Sequence, residues 1–527
     1  MRRATFLGGG ALALLACASA CSDSLTSLES RAGFAPGDES GSSSGAGASA
    51  GKDNGAPPPE KEVESDYEAP VATGNFVWIA NPKSGRVAFI DATTLQVRTV
   101  EAGNGPTYLA SVPGQATDTT VVLNVLSKDA TVLRAGANGK IETKTLPTAA
   151  QANALAFSSD GRFAIAWANA KTIPNAPKTE GFQDLTVLDL QQNTSTILAV
   201  GYRPVTVGFA AGQPRAYAVT QDGVSILDLS GPPKLSKNVA ISDNPNDDPG
   251  TRDVFVTKDG VYAFIRRDGS PDVTAVTLDT DTRTTITLPG PVTDLDLADT
   301  GDRAVAVVRD TAQAVILPIP GIVAAPATGT TVTVTGETVG SVSIAPGGQR
   351  GLLYTNAIVA ERVTVLDLSA ATFRTVKLYS PVLGVFSSPD AQHAVVLHDK
   401  TDGPSGTPGA FSLVPVGQSL PAKIVATKAI PVAVAVTNDR AVVAERNNKT
   451  GTGIYGAYLA RLPSLMVDRY DLASPPIAVG VVAGAKRAFI AQEHPEGRLT
   501  FVDLETGIAR TLTGFELASR VVDGSKP

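Results

Sequence analysis

From Val71 onward one phrase keeps returning: an apolar strand, a tight turn carrying Asp, Gly or Pro, a second apolar strand, a gap, a third strand often ending in Asp-Leu, and a Thr-rich fourth strand. The first-strand phrases begin near Thr107, Ala152, Pro204, Thr251, Val292, Val339, Val382, Pro431, Ile477 and Leu517, a period of about 46 residues. Third strands keep the same beat and end at Asp91, Asp189, Asp228, Asp367 and Asp503. Such regularity marks a repeat architecture, which overrides the several domains that 527 residues would otherwise imply.

A unit of four short strands that is apolar on both faces must be sandwiched between neighbours, and closing the row into a ring leaves no unpaired end. The pattern therefore predicts an all-β chain: a single large β-propeller of about ten four-stranded blades over residues 71–527. The alternatives are a seven- or eight-bladed ring with divergent extra units, two smaller rings, or a linear β-solenoid. The first unit starts at a second strand (Phe76-Val77-Trp78-Ile79-Ala80), and residues 517–523 supply only a first strand. The two ends are expected to complete one blade together and so close the ring.

Ahead of the repeat lies an address. Met1-Arg2-Arg3 is a positive n-region, and residues 4–16 form an apolar stretch too short to span a bilayer, so 1–21 reads as a signal peptide. Leu14-Leu15-Ala16-Cys17 resembles the bacterial lipobox, with Ala18-Ser19-Ala20-Cys21 a second candidate; simple secretion is the alternative. Arg2-Arg3 followed by Phe6-Leu7 faintly resembles a twin-arginine signal. Cys17 and Cys21 are the only cysteines, so the repeat region holds neither a disulfide nor a thiolate metal site. Residues 22–70 are a Ser/Gly/Pro-rich acidic linker, a tether with a reach of roughly 40 Å if it is a flexible coil. It concentrates most of the net charge of −7, leaving the repeat region nearly neutral, unlike a nucleic-acid-binding surface.

Within the first unit, Phe76-Val77-Trp78-Ile79-Ala80-Asn81-Pro82-Lys83-Ser84-Gly85-Arg86-Val87-Ala88-Phe89-Ile90-Asp91, followed by Gly103-Asn104-Gly105-Pro106, resembles the YVTN repeat of bacterial and archaeal surface propellers. That resemblance implies a secreted propeller of the lactonase-like group, anchored at the cell envelope. No lactonase active-site motif is matched, so no catalytic residue is carried over. Three histidines cannot build a multi-histidine copper centre, no Cys-x-x-Cys-His is present for haem, and two tryptophans fall short of a quinoprotein's one per blade. No cofactor, metal or nucleic acid is expected.

Candidate site residues are sparse. His393 and His398 point to opposite faces of one strand, so they cannot chelate together; His398 with Asp399 reads as a strand-end pair, or as a solvated loop histidine. His494 lies in a turn, residues 243–248 form an oxygen-rich acidic loop without EF-hand spacing, and Asp160-Gly161 and Asp259-Gly260 are turn residues. The longer connections, 169–184, 241–251, 399–410 and 446–458, all join second to third strands or blade to blade, which puts them on one face. The leading expectation is a non-catalytic scaffold, lipid-anchored at the cell envelope, in the periplasm or facing out from the outer membrane, that recognises an envelope protein or glycan through this face. Its ligand-binding candidates are Arg266, Arg267, His398, Asp399, Arg446 and Asn448, and the membrane is met only through the lipid at Cys17 or Cys21. The alternative is a hydrolase working at the channel mouth with Arg266, Arg267, Asp268, Asp399 and Arg446.

Overall fold

Second and third strands carry apolar residues at successive positions, so both faces of each unit seek cover. Thr119–Asn124 and Phe163–Trp167 are buried along their whole length, whereas a fourth strand such as Val97–Glu101 is mostly exposed. The computed structural model describes residues 69–136, 140–173, 181–242, 249–378, 380–398, 408–447, 453–494 and 497–514. They form ten four-stranded antiparallel sheets, each built from consecutive strands, arranged as a ten-bladed β-propeller. The blades are 71–101, 106–147, 154–199, 206–240, 252–287, 294–333, 341–377, 382–427, 430–471 and 476–513, numbered 1 to 10 below.

Ten hydrophobic clusters fill the ten interfaces between neighbouring blades. Alternation along each strand feeds both sides: Phe264 of blade 5 packs toward blade 6, while Ile265 packs toward blade 4. Each such large side chain contributes about 1.5–3 kcal/mol by leaving water.

The repeated aspartates make the turns. Asp91 Oδ1 accepts the N–H groups of Thr93 (2.8 Å) and Thr94 (2.9 Å), and Asp189, Asp367 and Asp503 repeat the arrangement. These turns join third to fourth strands. First-to-second turns use another device: the Ser158 hydroxyl donates to Asp160 (2.6 Å), as Thr257 does to Asp259, and a glycine follows at φ +64° or +68°.

Closure differs from the expectation. The inner strand of blade 1 is Val71–Ala72, paired with Trp78 and Val77, so this blade does not lack a first strand. Residues 517–523, expected in that place, lie outside the described residues. The seam between blades 10 and 1 is held by packing of Ile477, Val482 and Phe489 on Val77, Ile79 and Ile90. Two hydrogen bonds add to it: Gly484 N–H donates to Gly74 O at 2.8 Å, and the Arg487 guanidinium Nη1 to Ala92 O at 2.6 Å.

The up-and-down order sends second-to-third and blade-to-blade connections to one side, the loop face, and all other turns to the opposite turn face. The described propeller begins and ends on the loop face, because its first strand enters there and its last strand exits there. Two expectations about loops are corrected. The blade 9 connection is shorter than read, since strands Arg440–Asn447 and Ile454–Arg461 extend into it. One long excursion, 319–329, leaves the turn face of blade 6; its short helix Gly321–Ala324 buries Ile322 against blade 5.

Candidate functional site

On the loop face, four second strands carry a buried polar residue at or near their ends that bonds across to the third strand: Asn124, His398 and Gln492 at the last position and Glu445 two before it. Asn81, which ends the second strand of blade 1, instead caps its own turn through Lys83 and Ser84 N–H. In the same four blades, the facing first strand carries a bulge, between Pro106 and Tyr108, Val382 and Gly384, Pro431 and Ala433, and Pro476 and Ala478. Each polar end bonds a hydroxyl on the third strand: Asn124 Nδ2 to Thr131 (2.9 Å), His398 Nε2 with Ser412 (2.7 Å), Tyr458 to Glu445 (3.0 Å) and Gln492 Nε2 to Thr500 (2.7 Å). In blades 2, 9 and 10 that hydroxyl belongs to the residue two beyond the one paired with the polar residue, and in blade 8 Ser412 follows Phe411, the partner of Leu397.

This repetition decides how the His398–Ser412 contact is read. A serine hydroxyl against an imidazole has the geometry of a nucleophile and its base, but here an amide–threonine or carboxylate–tyrosine pair fills the equivalent place in blades 2, 9 and 10. The contact is a lock between strands. His398 is 2% exposed, so the reading as a solvated loop histidine is overturned. Its Nδ1 lies 3.1 Å from Pro381 O, which can only accept, so Nδ1 carries the proton and Nε2 accepts from Ser412. Burial drives its pKa down to about 4, against the pull of the Pro381 and Ser380 backbone.

Glu445 is fully buried and fully satisfied: it accepts from Lys428 N (2.7 Å), Ala429 N (2.9 Å), Tyr458 and the Arg469 guanidinium (2.7 and 2.8 Å). Burial, with the Glu445 charge beside it, pushes the Tyr458 phenol up to about 12. The pair ties second, third and fourth strands of blade 9 to the link from blade 8.

A different cluster stands near the mouth between blades 5 and 6. Arg266, buried but for 13% of its side chain, pairs with Asp253 and Asp268 and donates to Val292 O (3.1 Å). Asp294 and Asp296 begin the inner strand of blade 6. Their carboxylates accept N–H groups from the inner strand of blade 7, Val342 (2.8 Å) and Ile344 (2.7 Å), satisfying edge donors that would otherwise face the channel. Burial pushes the Asp294 carboxyl up to about 7; Asp296 adds to this, whereas the Val342 N–H and Arg266 oppose it.

The sequence-chosen residues are thus scattered. Arg266 joins the acidic cluster; Arg267 reaches toward Thr274 Oγ1 (3.4 Å) and Ile241 O (3.5 Å). Arg446, expected in a loop, is a strand residue, 4% exposed, paired with Ile430 and Tyr455. Asp399, Asn448, Cys17, Cys21 and the 243–248 loop lie outside the described residues. Asp253, Asp294 and Asp296 were missed, although Asp-x-Asp alternation puts 294 and 296 on one face. On the turn face, a shallow cleft of about 410 Å³ between blades 2 and 3 is lined by Gln115, Arg134, Asp160, Arg162 and Asn193.

No protein-family model matches the chain, and no curated protein matches it in sequence. Solved structures resemble it in fold. The hydrazine synthase of Kuenenia stuttgartiensis aligns over 51% of this chain and 81% of its own, at 14% identity and a TM-score of 0.32. The dihydro-heme d1 dehydrogenase NirN, in complex with DHE, aligns over 79% and 78% at 13% identity and 0.40. Apo AztD from Citrobacter koseri aligns over 77% and 96%, also at 13% and 0.40. No residue or chemistry is carried over from these proteins.

Proposed function

We propose that the chain is an exported, lipid-anchored propeller of the YVTN-repeat kind, a non-catalytic scaffold that binds an envelope protein or glycan through its loop face. The observation that supports this reading is the asymmetry of the two faces. The connections 168–183, 241–251 and 399–408 leave the loop face, against the single excursion 319–329 on the turn face, where first-to-second turns are pinned by hydroxyl–Asp contacts. A rigid ring carrying most of its long connections on one side is the usual arrangement for recognition. The polar strand ends beneath that face are bonded inward, which leaves recognition to the loops.

Two experiments test it. Photo-crosslinking side chains at Lys128 and at Val359, which is 78% exposed, should capture a partner in intact cells, whereas those at Leu420 and Ile508 on the turn face should not. Equal capture from both faces sinks the face assignment. Replacing Cys17 and Cys21 together by Ala should move the protein from membranes to a soluble fraction; unchanged sedimentation sinks the anchor.

One observation favours a hydrolytic alternative: the Asp294 carboxyl, near Arg266, titrates close to neutrality, where a general acid or base is effective. Its two oxygens already accept Val342 and Leu295 N–H groups, which weighs against it. Esterase or lactonase turnover abolished by Asp294→Asn would establish that reading over the scaffold.

A further inference from the structure

On the loop face between blades 3 and 4, two connections converge. Gly181, Phe182 and Gln183 end the second-to-third connection of blade 3, and Gly201, Tyr202 and Arg203 lie in the link to blade 4. Arg203 N–H donates to Gly181 O at 2.7 Å, and Tyr202 N–H to Asp222 Oδ1 at 2.8 Å. A Cβ placed on Gly181 would stand 3.3 Å from the Tyr202 ring and from the Gln183 side chain. Phe182 and Arg203 hold φ of 47° and 51°, left-handed conformations that side chains of this size adopt only under constraint.

The Arg203 guanidinium lies over the Phe182 ring, 5.5 Å from its centroid, and its buried Nε has no acceptor. It makes no hydrogen bond or ion pair with any described residue. Other arginines of this face are engaged: Arg266 with Asp253, Arg252 with Gln221 O, Arg362 with Gly336 O. Arg203 is therefore held in place by a ring, with its hydrogen-bonding fork unused and one donor already stripped of water.

We propose that this is a subsite for an acidic sugar, a uronate whose carboxylate is taken by Arg203. One guanidinium matches one carboxylate in charge and in fork geometry. The Tyr202 and Phe182 rings offer apolar surface to a pyranose C–H face, and the exposed Gln183 amide offers a donor and an acceptor to its hydroxyls. An acidic peptide would use Arg203 equally but leaves the two rings and the amide without a role. The assignment rests on the loop face being the binding face.

The test is calorimetric titration of the full-length protein with trigalacturonate, a neutral galactose trimer and triglutamate. Trigalacturonate should bind and the neutral trimer should not. Arg203→Met should weaken binding at least tenfold, and Arg203→Lys, which keeps the charge but loses the fork, should weaken it less, both variants melting like the parent. Should Arg203→Met melt lower, the comparison of Arg203→Lys with Gln183→Ala carries the test. Absence of trigalacturonate binding, binding indifferent to these variants, or triglutamate binding equally well would overturn the sugar assignment. If crosslinks from Lys128 and Val359 persist while uronate binding fails, this inference alone falls and the loop-face reading stands.

Discussion

Gly484 donates its backbone N–H to Gly74 O across the seam between the last and first blades, and a Cβ on Gly484 would stand 2.3 Å from that same oxygen. Gly484→Ala should therefore push the seam apart and destabilise the ring by about 1–3 kcal/mol, the usual range for overpacking. Gly231→Ala, whose Cβ would meet nothing within 4 Å, should stay within ~0.5 kcal/mol of the parent. Chemical denaturation of both variants checks the contrast.

Val71–Ala72 is the inner strand of blade 1, and Val71 is 5% exposed. Val71→Asp is expected to lower the melting temperature and increase light scattering, because it places a carboxylate on the face that blade 1 turns to blade 2, beside its cross-strand partner Trp78, and loosens an edge. A chain ending at Gly514 is expected to melt with the parent. If that truncation is the more damaging change, Val71–Ala72 does not by itself complete the blade.

Acid sensitivity should track His398. Its folded pKa of about 4 lies below the ordinary 6.5, so the unfolded chain takes up the proton first as pH falls. The stability it contributes is complete above pH 6.5 and lost on the way down to pH 4, on the order of 3 kcal/mol at most. His398→Gln, which copies the Gln492 lock of blade 10, should flatten the melting temperature over that window; an unchanged slope refutes the assignment.

Asp294 works in the opposite direction. Its folded pKa, raised to about 7, means that its contribution is complete below the ordinary carboxylate value of 3.8 and lost as pH rises through 7. Asp294→Asn should raise the melting temperature at pH 8 and do little at pH 4. A stabilisation of equal size at both pH values would show that the carboxylate charge is not the cause.

Arg469→Met leaves Glu445 buried with its ion partner gone, and should cost about 3–5 kcal/mol. The double change Glu445→Gln with Arg469→Met should recover part of that loss, since a neutral amide can still accept from Lys428 and Ala429. A double mutant no better than Arg469→Met would mean that the buried charge is not the source of the cost.

What the sequence made legible was whatever recurs locally. The period fixed ten blades, and the Asp that ends half of the third strands marks a turn, as at Asp91 and Asp503, whose carboxylates bond amides two and three residues on. Partners set by tertiary packing or by strand register left no such trace: Asp294 meets Val342 of the next blade, and Arg266 meets Asp253 across a strand pair of its own blade, with nothing in the local phrase to mark either. Closure was misread for a local reason. Pro70 reads as the end of the linker, yet Pro106–Ser111 and Pro476–Val482 show that a proline opens first strands elsewhere in the ring. Arg446 reads as a loop residue because its strand runs on further than its apolar core.

Every blade here is spun from one unbroken stretch of chain, and the seam resembles the other nine interfaces in kind, a hydrophobic cluster between complete sheets. The starting point of the chain is then interchangeable. A circular permutant of the propeller alone, joining Thr513 to Val71 through a short linker and opening any blade-to-blade link, cuts no sheet, so the ring should reassemble with its blades in the same cyclic order. A tether fused at the new start would then leave the loop face beside a different blade, and the proposed anchor could be walked around the rim blade by blade without altering the surface it presents.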